Sequence, residues 1–118
     1  MLIFINKDVI KGDFKMSIYK DISSEELNNM IKKNENILLL DVRTKEEYNT
    51  MHIPNSLNIP LQDLEDDLDD ILSYTDKDVV IYCRSGKRSI TAAYILEANG
   101  FRQLYNLKYG IIGYIDYL

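Results

Sequence analysis

Apolar residues in this chain fall into two kinds of run. Ile37-Leu38-Leu39-Leu40 and Val79-Val80-Ile81-Tyr82 are unbroken, the pattern of strands covered on both faces in a parallel sheet. Elsewhere apolar positions recur at helical spacing. Leu27, Met30 and Ile31 stripe a segment that opens at Ser23, and Ser23-x-x-Glu26 fits a capping box, in which hydroxyl and carboxylate satisfy exposed amides. Asn34-Glu35-Asn36 breaks that helix. Thr44-x-x-Glu47 is a second capping box, opening a short helix through Tyr48. His52 to Ser56 reads as a turn, Leu57 to Ile59 as a short strand, and Pro60 as its end. Residues 61–72 read as a helix with Leu61, Leu64, Leu68, Ile71 and Leu72 on one side and a run of acids on the other. Arg88 to Asn99 is a helix carrying Ile90, Ala92, Ala93, Ile95 and Leu96, with Gly100 where a C-cap glycine belongs. Ile18 to Ile22 and Leu104 to Leu107 complete the strands, and Gly110 to Leu118 forms a terminal helix.

Strands alternating with helices predict an α/β fold, a mainly parallel sheet with helices on both faces. The regular pattern defines one domain over 17–118. Residues 1–16 sit outside it: Leu2 to Ile5 suits an edge strand, Lys11-Gly12-Asp13 a turn, and Met16 an alternative start.

Charge narrows the partners. The chain has 118 residues and a net charge of -5, which disfavours non-specific binding to nucleic acid or an anionic membrane. No apolar run reaches the roughly 18–20 residues that span a bilayer. Nothing in the N-terminal segment has the form of a secretory signal, so the expected location is cytoplasmic. The acids of 61–72 are read as a solvated helix face rather than a docking surface for a basic partner.

Chemistry concentrates at one place. Cys83 is the single cysteine and His52 the single histidine, too few for an internal disulfide or a metal site, so neither metal nor organic cofactor is expected. Cys83 follows a buried strand, and Arg84-Ser85-Gly86-Lys87 leads into a helix that begins at Arg88-Ser89. Ligands of open α/β sheets bind beyond the carboxyl ends of strands. A tight strand-to-helix loop turns backbone N–H groups inward as an anion nest, and the helix N-terminus adds partial positive charge. Gly86 gives the loop conformations closed to other residues. Arg84, Lys87 and Arg88 place three cations beside Cys83 in an otherwise acidic chain. Together these predict a lowered Cys83 pKa, a thiolate at neutral pH, and a cradle of Arg84, Ser85, Gly86, Lys87, Arg88 and Ser89 for a small anion. His52 could be a general base, but a packing and hydrogen-bonding role is preferred.

Cys-Arg-Ser-Gly-Lys-Arg-Ser resembles the active-site loop of the rhodanese homology family. Leu39 to Arg43, Glu46-Glu47-Tyr48, His52 to Pro60 and Asn106 to Ile111 resemble its other motifs, in order, from about Ile18 to the C-terminus. The resemblance implies a small doubly wound domain and a sulfurtransferase in which Cys83 cycles through a persulfide. Arg84 to Ser89 would hold the charged intermediate, while Asp41 and Arg43 would brace the strand end. It also implies a small anionic sulfur donor such as thiosulfate, a thiol or cyanide acceptor, and room for a protein persulfide partner. The sequence departs from the family at Met51, Asn55-Ser56 and Tyr109, and Tyr114 sits near where a Trp is frequent. Two other readings stand beside this one. A phosphatase-type loop needs five residues between cysteine and arginine, and here four separate Cys83 from Arg88. A non-catalytic binding or sulfur-sensing module would use the same residues without turnover.

Overall fold

The computed structural model describes residues 17–34 and 36–118, so the expectations for 1–16 lie outside the described residues. Five strands form one sheet: β1 (Lys20–Ile22), β2 (Leu38–Asp41), β3 (Leu57–Asn58), β4 (Asp78–Tyr82) and β5 (Gln103–Leu107). Their order across the sheet is β1-β5-β4-β2-β3, and every pairing is parallel. Three α-helices join them: α1 (Ser24–Lys33), α2 (Lys45–Thr50) and α3 (Arg88–Ala98).

Alternation along the central strands divides the core, because successive side chains of a strand point to opposite faces. Leu38, Leu40, Val79, Ile81 and Leu104 pack under α3, through Ala92, Ala93 and Leu96. Leu39, Val80, Tyr82 and Leu107 face the other way and pack with Leu27 of α1 and with Ile53, Ile111 and Tyr114. The same parity carries Cys83 to the α3 face and Tyr82 to the opposite one.

Both capping boxes form. The Ser23 and Thr44 hydroxyls accept from the amides of Glu26 and Glu47, whose carboxylates accept from the amides of Ser23 and Thr44. Gly100 has φ +93°, as a left-handed cap after α3 requires.

Two expected helices are corrected. Residues 61–72 do not form an α-helix: they hold two 3₁₀ segments, Leu61–Asp63 and Leu68–Tyr74. An α-helix would set Asp63, Asp66, Asp67 and Asp70 at mutual spacings of three and four, where like charges repel, and Asp is itself a poor helix former. With three residues per turn, Leu68 aligns with buried Ile71, while Leu72 rotates into solvent. The C-terminal segment is likewise a 3₁₀ helix, Ile112–Tyr117, entered through Gly110 at φ +63°.

The departures around 51–56 fit the backbone. Met51 has φ -166°, extended backbone open to any residue. Asn55 has φ +67°, and Asn is among the few residues that tolerate that region. Tyr82 pins this turn from below: its hydroxyl accepts from the Ile53 amide at 3.1 Å and lies 3.0 Å from Ser56 Oγ.

Candidate functional site

β4 delivers Cys83 to the carboxyl edge of the sheet, where the chain turns through Arg84 to Lys87 into α3. The turn closes tightly because Gly86 sits at φ +99° and lies against the Lys108 carbonyl, leaving no room for a Cβ. Gly110 makes an equally close approach to the Arg84 carbonyl from the other side. The amides of Ile111 and Ile112 then donate to the carbonyl oxygens of Cys83 and Arg84, at 2.9 and 3.2 Å. The loop is thus clasped by the segment after β5.

The Gly86 amide donates to Cys83 Sγ at 3.1 Å, and Ser89 Oγ lies 3.5 Å from the sulfur. Cys83 is 1% exposed. Burial pushes its thiol pKa up. The amides of Ser89, Gly86 and Ser85 pull it down, and the net direction is below the ordinary thiol value. Lys87 occupies the N-cap of α3 without a side-chain cap bond, so no capping side chain competes with an anion for the first-turn amides.

The expected cations divide. Arg88 forms a two-pronged ion pair with Glu47 of α2, at 2.8 and 2.9 Å. That pairing holds the Glu47 carboxyl down at about 2. Its charge is therefore largely neutralised, and it ties α3 to α2 rather than standing open at the entrance. Arg84 and Lys87 are exposed and have no carboxylate partner among the described residues. Beside the loop lies a groove of about 350 Å³ lined by Arg84, Arg43, Glu47, Met51, Ile112 and Ile115.

Asp41 and Arg43 are both buried and pair directly, with Arg43 Nη2 2.7 Å from Asp41 Oδ2. The same Nη2 donates to the Met51 carbonyl at 2.7 Å, joining the end of β2 to the turn after α2. His52 is held by contacts within its own segment. It stacks on Tyr48 with centroids 3.8 Å apart, and its Nδ1 donates to the Tyr48 carbonyl at 2.8 Å.

Asn106 of β5 was not singled out from the sequence, although it completes the site. It is 1% exposed. Its amide nitrogen donates to Asp21 Oδ1 at 2.9 Å and to the Gly86 carbonyl at 3.3 Å. Its Oδ1 accepts from the Ser89 hydroxyl. A signal existed: strand parity puts Asn106 inward on the Cys83 face, where an uncharged polar residue needs a partner.

A nest of amides around a buried thiol can stabilise a sulfur anion. The chain is similar to several known proteins. A sulfurtransferase of Allochromatium vinosum is 38% identical over 80% of this chain and 86% of its own length. A tRNA uridine(34) hydroxylase of Buchnera aphidicola is 33% identical over 80% of this chain, which spans only 31% of that protein. The crystal structure of a rhodanese-like domain protein from Staphylococcus aureus superposes with a TM-score of 0.73 at 32% identity, covering 80% of this chain and 90% of that one. The profile of the Rhodanese-like domain matches residues 23–116, and the chain belongs to the rhodanese-like domain family.

Proposed function

We propose that the protein is a sulfurtransferase that works in two half-reactions through a persulfide on Cys83. The observation that carries this is the Gly86 amide at 3.1 Å from a buried sulfur that titrates below its ordinary value. In the first step the thiolate attacks the sulfane sulfur of a donor such as thiosulfate. A sulfur–sulfur bond forms at Cys83, and sulfite leaves with the electron pair of the bond that breaks. The amides of the 84–89 loop hold the negative charge that now lies on the terminal sulfur. In the second step a nucleophilic acceptor, cyanide in an assay or a cellular thiol, takes that sulfur and returns the thiolate. Arg84 and Lys87, which have no carboxylate partner among the described residues, supply the positive charge that draws anionic donors, and Asp41 and Arg43 brace the strand end. The similarity to a sulfurtransferase of nearly the same length supports this reading. The substrates of the longer relatives are not carried over.

Intact mass measured after incubation with thiosulfate, then with cyanide, tests it. One added sulfur is expected, removed by cyanide and absent from Cys83→Ala. A bare Cys83 after thiosulfate, polysulfide and glutathione persulfide would overturn sulfur transfer in favour of a binding module.

A further inference from the structure

Asn106 has an orientation that hydrogen-bond chemistry settles. Its two amide contacts on one side, Asp21 Oδ1 and the Gly86 carbonyl, are both acceptors. The NH₂ group must therefore lie there, because a flipped amide would face two oxygens with its own. The carbonyl end then faces Ser89, and an amide oxygen only accepts. The contact between Ser89 Oγ and Asn106 Oδ1 consequently uses the one proton that the hydroxyl owns. Toward Cys83, 3.5 Å away, Ser89 has only lone pairs left.

We propose that Asn106 is a positioning residue for Cys83, locked by Asp21 and the Gly86 carbonyl so that it keeps the Ser89 hydroxyl proton away from the sulfur. In the thiol state the S–H donates to Ser89 Oγ, which donates to Asn106, and every group is satisfied. In the thiolate state the hydroxyl must either present lone pairs to a negative sulfur or turn to it and leave a buried amide oxygen unpaired. Once Cys83 carries a second sulfur, its charge moves outward into the backbone nest, and the Ser89–Asn106 bond stays whole. The pair thus works against the bare thiolate at Sγ and not against the persulfide. It moderates the acidifying effect of the loop amides and keeps the free thiolate a better nucleophile, since nucleophilicity falls with thiol pKa.

The proposal rests on Cys83 being the reacting group, and its test does not require sulfur transfer. The charged groups on the elements packed around Cys83 are Arg84, Lys87 and Arg88 on the loop and α3, Glu47 of α2 paired to Arg88, the Asp41–Arg43 pair at the end of β2, and Asp21 behind Asn106. Asn106→Leu changes none of these charges, keeps the branched side-chain shape and removes the competing acceptor, while the exposed Asp21 loses its bond to Asn106 Nδ2. The measurement is the rate of Cys83 alkylation by iodoacetamide from pH 5 to 10. Freed to donate to the thiolate, Ser89 should move the midpoint to lower pH by about one, about tenfold more thiolate well below the midpoint. The change should vanish when Asn106→Leu is made in Ser89→Ala. A midpoint that stays or rises in Asn106→Leu, or a drop that persists without Ser89, overturns the proposal. If Asn106→Leu does not fold, Asn106→Ala, which removes the same acceptor with a smaller side chain, must show the same downward direction, and an unmoved or raised midpoint there overturns it equally. Sulfur loading that fails while these midpoints move as stated would count against the proposed activity alone.

Discussion

Replacing Glu47 by Gln isolates one charge in a residue with two duties. Glu47 accepts from the Thr44 amide in the capping box of α2 and grips Arg88 of α3 with both carboxylate oxygens. Gln keeps the first duty, since either residue serves a capping box, and loses the ion pair. In the folded protein the carboxyl titrates at about 2 instead of 4.5, a difference of about 2.5. At about 1.36 kcal/mol per pH unit that corresponds to about 3.4 kcal/mol. Both partners are partly solvated, 37% and 29% exposed at their side chains, and screening reduces the figure to about 1–2 kcal/mol. A carboxyl whose folded pKa is lowered contributes its stability above the unfolded value and loses it as pH falls through the folded one. Urea unfolding of the two proteins should therefore differ by about 1–2 kcal/mol at pH 6–7, and the gap should narrow from about pH 4.5 and close near pH 2. A gap that is the same at pH 7 and pH 2 would show that Glu47 acts through shape or capping, and would refute the ion-pair account.

Gly86→Ala should cost about 2–3 kcal/mol, from a strained φ and a clash with the Lys108 carbonyl. It should also slow alkylation of Cys83 at pH 7, because the amide that donates to the sulfur must move; an alanine variant alkylated as fast as the parent at pH 7 would refute that link. Tyr82→Phe leaves the Ile53 amide without its acceptor and should lower unfolding stability by about 1–3 kcal/mol, read as a shift in urea midpoint at unchanged slope. Sulfur loading of Cys83 should survive this change, since Tyr82 points to the opposite face of the sheet.

Features that depend on near neighbours along the chain were legible from the residues themselves. The capping boxes at Ser23 and Thr44 join residues three positions apart, and both form. The unbroken runs 37–40 and 79–82 were legible as buried strands because burial on both faces leaves no polar alternation. The reactive loop was legible for the same reason: Cys83, Gly86 and Ser89 lie within seven residues, so strand, turn and helix start bring them together without help from elsewhere. Spacing alone misread 61–72, where the apolar stripe suited an α-helix but repulsion between acids and the demands of packing chose two 3₁₀ turns. Which loop cation is paired depends on the fold as a whole. Arg88 meets Glu47 across 41 residues, and nothing local in either segment announces it. Tertiary structure also decided that Asn106 and Asp21 stand behind Ser89, and that Gly110 and Ile111 clasp the loop from the far end of the chain. Those contacts follow from the order in which parallel strands are laid side by side, and strand order is a property of the whole sheet rather than of any one segment.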